Sequence, residues 1–182
     1  FSDATTSAMS AVINNAALIK KVYMPKYLFV ISRVFSSFIN LLASFTALLV
    51  VMIATRAELH WKVVFAVIPL GFIVVFSLGV GLLLSALVVK FRDIMHLYSV
   101  FITALLYLTP VIYPMSSLPY WMQKVVGLNP ITNILMMFRD VMLYDNFPNL
   151  SSILIATIES LAALGIGVYV FYKKQDEFIL NI

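Results

Sequence analysis

The chain has 182 residues, of which 63% are hydrophobic and 11% charged, with a mean hydropathy of +1.03. That leaves too little polar surface for a water-soluble domain of this size and places it among polytopic membrane proteins. The net charge of +4 does not point to nucleic acid, because the basic residues sit at the ends of apolar runs, and the absence of cysteine excludes disulfides and thiolate metal sites.

The segment FSDATTSAMSAVI at the start reads as the tail of a helix, so the sequence is expected to be a fragment without its N-terminal part. NNAALIKKVYMPKYLF follows, where Lys20, Lys21 and Lys26 surround Val22, Tyr23 and Met24. A basic element thus presents an apolar tip, and Pro25 limits any helix there and redirects the chain into the next one. Such a patch suits acidic lipid or the docking of a cytoplasmic partner.

Four apolar runs have the length that crosses about 30 Å of hydrocarbon as helix. They are placed at about 27–55, with a charge-free core at 34–55, and at 63–89, 94–113 and 150–172, the last interrupted only by Glu159. A β-barrel would show alternating segments of about ten residues instead. In the first run Arg33 can snorkel from its cytoplasmic start, and Asn40 near mid-span is expected to bond a neighbouring helix. In the second, Ser77, Gly81 and Ser85 form a small-xxx-small stripe, read chiefly as packing inside one subunit, and Pro69 predicts a kink near the outer end.

The connections 14–33, 90–93 and 173–182 share one side, with eight basic residues against four on the other, which makes that side and the C-terminus cytoplasmic. Arg92 and Asp93 in the short turn are placed to pair with each other or with a cytoplasmic partner. Residues 114–149 then lie outside. His60 and His96 are isolated, without the clustered ligands a metal site needs.

The third run raises a physical problem. Residues 94–123 contain no Asp, Glu, Lys or Arg, yet Pro110, Pro114, Pro119 and Pro130 fall in or just after them, and each proline removes a donor and clashes one turn back. The prolines therefore separate short helices. One starts after Ser117 and Pro119, anchored by Tyr120 and Trp121, and stops at Gly127; another begins after Asn129-Pro130 with Ile131, Ile134, Leu135 and Phe138 on one face. Such a pair is expected to be re-entrant or interfacial, covered by protein or lining a cavity. On the preceding helix Tyr98, Phe101 and Tyr113 project within about 60° of one another and Tyr107 falls opposite, so the first three are the candidates to line a path and Tyr107 is assigned to packing. Glu159, an acid inside the last run, should face protein, water or a cationic partner, and a structural pairing is preferred over a proton relay.

The order LIKKVYMPKY, a K-F-R-D-I turn (Lys90 to Ile94), TPVIYP with SSLP, and LNPITNIL followed by an Arg resembles the permease subunits of type-2 ABC exporters. Within them it is most similar to the branch that exports lipid-linked polysaccharides such as O-antigen, capsule precursors or teichoic acid. The resemblance runs from about Asn14 to Lys174 and implies an all-α transmembrane domain covering the end of helix two through helix six. It further implies a coupling element at 14–26, with Leu18, Ile19, Lys20, Lys21, Val22, Tyr23, Met24, Pro25 and Lys26 in the groove of a cytoplasmic ATPase. An extracytoplasmic gate would span 114–149, with Pro114, Pro119, Trp121, Asn129, Pro130 and Arg139. The expected assembly is two permeases with two ATPases in a bacterial or archaeal cytoplasmic membrane, with ATP and Mg on the partner, because residues 1–182 contain no G-x-x-x-x-G-K-[ST] loop. The alternatives are the same fold exporting a drug or lipid and an ion-gradient-driven carrier using Glu159. An intramembrane enzyme lacks its constellation of polar groups.

Overall fold

The computed structural model describes residues 1–22, 24–56, 60–175 and Phe178. These are helical, with no strand among them, the all-α class expected. In chain order the helices are α1 (Ser2–Asn14), α2 (Ala16–Lys21), α3 (Tyr27–Ala54), α4 (Val67–Val88), α5 (Ile94–Leu108), α6 (Tyr120–Gly127), α7 (Pro130–Met142) and α8 (Leu150–Lys174). By length and composition α3, α8 and the continuous Trp61–Val88 helix can cross a membrane.

The helix ends follow local chemistry. Asn15 interrupts α1 and α2, its side-chain amide donating to the Ala11 carbonyl at 2.7 Å. Val22 is extended (φ −127°, ψ 130°) and ends α2, and α3 starts two residues past Pro25. Inside α3 the hydroxyls of Ser32, Ser36, Ser44 and Thr46 bond to carbonyls of the preceding turn, which satisfies them without leaving the helix. Arg56 then takes a left-handed conformation (φ 54°) and closes the helix.

Pro69 lies in the first turn of α4, just after a 3-10 turn at Trp61–Ala66, so its missing donor falls where the continuous helix changes type. One expectation about helix shape is corrected. The apolar run 94–113 is not helical throughout. Thr109 is extended (φ −79°, ψ 130°), as the residue before Pro110 must be, so α5 ends at Leu108. Its 15 residues reach about 22 Å, short of the hydrocarbon thickness.

The core is organised around α4. A Cβ on Gly79 would fall 2.4 Å from the Ala163 carbonyl carbon, and one on Gly167 would fall 2.1 Å from the Gly79 carbonyl oxygen. The backbones of α4 and α8 therefore touch. Ser160, one turn away on α8, donates to the Phe72 carbonyl at 3.4 Å and extends the seam. The stripe of Ser77, Gly81 and Ser85 is buried on a different face of α4; a Cβ on Gly81 would meet that of Ala8 at 2.8 Å. Those small residues admit α1 within the same subunit.

Segments assigned to one side of the membrane meet. At one end Ile19, Val89, Phe171 and Phe178 join a single buried cluster. At the other, Lys62 donates to the Asp145 carbonyl at 2.7 Å and its carboxylate at 3.1 Å, and lies 4.9 Å from the Phe147 ring. Helix α5 is peripheral, with most of its surface open except where Tyr98 enters the bundle.

The backbone contact gives a direct test. Gly167→Ala and Gly79→Ala should each lower stability by about 1–3 kcal/mol through overpacking. Gly165→Ala, whose Cβ would meet nothing within 4 Å, should be neutral or slightly stabilising, as read by thermal unfolding of the purified subunit.

Candidate functional site

At the end assigned to the cytoplasm, α2 is a short helix held by one inward side chain. Ile19 is buried among Val12, Val30 and Val89, while Leu18, Lys20, Lys21, Val22, Met24 and Pro25 face outward. The outward group mixes cations with exposed apolar side chains that no other described element covers. Two members of the expected docking set play other parts. Ile19 anchors the element instead of contacting a partner, and Lys26 turns back, donating to the Gln175 carbonyl and lying 5.6 Å from the Phe178 ring. Tyr23 lies outside the described residues. In the nearby turn Lys90, Arg92 and Asp93 are exposed, and no ion pair joins Arg92 to Asp93 among the described residues.

At the other end the proline-rich stretch forms two short helices. Pro114 precedes a 3-10 turn at Met115–Ser117, and Pro119 is the N-cap of α6. Asn129 caps α7: its Oδ1 accepts from the Ile131 amide at 3.1 Å, its Nδ2 donates to Thr109 Oγ1 at 3.0 Å, and Pro130 fills the first helical position. Arg139 donates to the Val111 carbonyl at 2.8 Å, so both ends of α7 are tied to the turn after α5. Trp121 stays exposed on α6. Helix α7 buries Ile134 and Met137 against Ile68 and Phe72 of α4 and Ile153 and Ala156 of α8. It therefore packs against the bundle on α4 and α8. Burial raises the Asp140 carboxyl above its ordinary range.

The aromatic path needs revision. Tyr98 is 7% exposed, its hydroxyl 2.6 Å from Thr5 Oγ1 of α1, so it joins the core and cannot line a path. Phe101, whose ring is 6.1 Å from that of Tyr98, is 55% exposed. Tyr113 no longer shares a helical face with either, since α5 has ended; its hydroxyl bonds to the carbonyls of Tyr107 and Leu108 at 2.9 and 3.2 Å. Tyr107, assigned to packing, is 69% exposed. It borders an open groove of about 430 Å³ with Ile102, Thr103, Leu106, Thr109 and Ile131.

Of the polar positions, Glu159 faces the Asn133 amide of α7, and its Oε2 is buried without a hydrogen-bond partner among the described residues. Its neighbour is thus an amide and not a cation. Asn40 borders a cavity of about 210 Å³ with Asp3, Ser37, Ser44 and Ser77, and its side chain bonds no neighbouring helix among the described residues, while Ser37 donates to Asp3 at 2.6 Å. Among the described residues no cluster of His, Cys, Asp and Glu could hold a metal.

A bundle with a basic, apolar-tipped corner at one end and a capped, proline-separated helix pair at the other can now be compared with known proteins. The profile of the ABC-2 type transporter family matches residues 5–143, which takes in both features. The chain belongs to the ABC-2 type transporter family. The O-antigen export system permease protein RfbA of Myxococcus xanthus is 24% identical over 184 residues, covering 100% of this chain and 71% of that protein. A protein of the same name from Klebsiella pneumoniae is 24% identical over 180 residues, covering 98% of this chain and 69% of its own. The ABC-2 match identifies a multi-pass membrane transport subunit.

The cap on α7 makes a separable prediction. Asn129→Ala should cost about 1–2 kcal/mol through loss of the cap, with Thr109 losing its partner as well. Asn129→Asp, which keeps the accepting oxygen, should recover most of that in thermal unfolding.

Proposed function

We propose that the chain is the permease subunit of an ATP-driven exporter that carries a lipid-linked polysaccharide, of O-antigen, capsule or teichoic acid type, across the bacterial or archaeal cytoplasmic membrane. Two copies would work with two cytoplasmic ATPase subunits, which supply ATP and Mg, and the C-terminus would lie in the cytoplasm. The observation that carries the reading is the pairing, at opposite ends of an ABC-2 bundle, of the α2 corner and the proline-separated α6–α7 helices. The names of the relatives favour a polysaccharide over a drug or lipid.

The chemistry fits each part. Leu18, Val22 and Met24 offer apolar contacts to an ATPase groove, with Lys20 and Lys21 beside them. A docking face that sets exposed apolar side chains beside cations can bury the former while the latter pair with an acidic groove. On the other side, Pro114, Pro119, Trp121, Asn129, Pro130 and Arg139 shape a gate that can shift as a unit, because α7 is tied to the turn after α5 by the Asn129–Thr109 and Arg139–Val111 bonds. Along α5, Phe101 and Tyr107 are the open aromatic faces on which sugar C–H surfaces would stack.

Affinity purification of the full-length subunit from native membranes tests the reading. ATPase activity should travel with the wild type and fall at least about tenfold, equivalent to about 1.4 kcal/mol of binding, in a Lys21→Glu, Met24→Ala variant that remains folded. An absence of associated ATPase from both would refute it. Glu159→Gln should leave ATP-dependent export within about twofold of wild type, since the carboxyl meets an amide that either side chain can face; abolished export in a folded variant would revive the proton-carrier alternative.

A further inference from the structure

Four residues past the end of α8, Phe178 places one aromatic ring where the coupling element is built. Phe178 is 1% exposed and is a member of the cluster that contains Val12 of α1, Ile19 of α2, Val30 of α3 and Val89 after α4. Its ring meets that of Phe171 edge-on, 5.2 Å between centroids and 87° between planes. Lys26, the residue that leads out of the coupling corner into α3, holds the same spot from the other side: its ammonium lies over the Phe178 ring at 5.6 Å and donates to the Gln175 carbonyl. The corner formed by α2 and the start of α3 is therefore fastened to the end of α8 by a buried ring, a cation–π contact and a hydrogen bond.

Helix α8 connects that fastening to the other side. It touches the α4 backbone at Gly79 and Gly167, which packs the two helices main chain to main chain. Near its outer end α8 packs Ile153 and Ala156 against α7, and the Ser152 carbonyl accepts from Asn133 at 3.3 Å. A push on α2 thus has a continuous packed route to the gate helix that does not pass along α3, whose outer two-thirds is largely open.

We propose that Phe178 is a positioning residue for energy coupling, locking the α2 corner to α8 so that displacement of α2 by an ATPase is passed through the α4–α8 pair to α7. The proposal rests on the functional reading above. Removing the ring should separate hydrolysis from gate movement while leaving the outward docking side chains Leu18, Lys21, Val22 and Met24 in place.

The test uses the full-length permease–ATPase complex in proteoliposomes, with an environment-sensitive fluorophore on a thiol introduced at Leu128, which is 81% exposed between α6 and α7. No cysteine within residues 1–182 competes for the label. ATP with vanadate should change the fluorescence of the otherwise wild-type complex. Phe178→Ala should reduce that change about fivefold or more, with ATPase association and basal hydrolysis within about twofold, and Phe178→Leu, which refills the site, should restore over half. Lys26→Met, which breaks the hydrogen bond while keeping an apolar stem, should give an intermediate loss and serves if Phe178→Ala does not fold. Tyr172→Ala, at an exposed position on α8, is the unaffected control. An unchanged gate signal in both Phe178→Ala and Lys26→Met, or a gate loss that only tracks weaker ATPase binding, would overturn the role. A wild-type subunit that captures no ATPase would instead remove the functional reading and this role with it.

Discussion

The backbone contact between α4 and α8 is the constraint on which the other elements depend. In hydrocarbon, apolar side chains gain little by leaving lipid for a neighbouring helix, so association rests on close van der Waals packing and on polar bonds between helices. Gly79 and Gly167 let two main chains touch, and Ser160 adds a hydroxyl to the Phe72 carbonyl beside them. Because α4 is also narrow along Ser77, Gly81 and Ser85, α1 can approach from another side. One helix with small residues on two faces thus gathers its neighbours, and the larger side chains of α3 and α5 are left to face outward.

With α4 and α8 fixed against each other, their outer ends form the cradle in which α7 lies. The rest of the segment between α5 and α8 is held by polar ties at its margins. Lys62 reaches Asp145 and Phe147 from the base of α4, and Asn129 and Arg139 reach the turn after α5. This arrangement explains how a chain interrupted by four prolines remains stable near a membrane. Each break either falls where a helix must begin, as at Pro119 and Pro130, or where the backbone is extended, as at Thr109 before Pro110.

The sequence made the class, the helix pair after α5 and the basic corner legible, because proline spacing, apolar run length and charge position are local properties. The side-chain environments were less accessible. Tyr98, Phe101 and Tyr113 were projected on one ideal helix, but Pro110 ends that helix before Tyr113, and Tyr98 is drawn inward by Thr5, a partner 93 residues away. The small residues of α4 were recognised at Ser77, Gly81 and Ser85, whereas Gly79, with the tightest contact, lies off that four-residue spacing. Its partner Gly167 belongs to a repeat on α8, Ser160-x-x-Ala163-x-x-x-Gly167, that becomes meaningful only once the two helices are known to cross. Phe178 had no signal beyond being apolar after the last basic pair.

Lys26 and Lys62 show how far a charge-based orientation can be trusted once the fold is known. Both were counted as loop cations, yet each is engaged internally by a carbonyl and a phenylalanine ring, Lys26 at Gln175 and Phe178, Lys62 at Asp145 and Phe147. A lysine bound in this way is set by its protein neighbours and carries less information about which side of a membrane it prefers. Removing one from each side turns eight against four into seven against three, so the bias persists in the same direction. The remaining basic residues thus still favour opposite faces for the α2 corner and the α6–α7 helices, while the two engaged lysines fasten the bundle at its two ends.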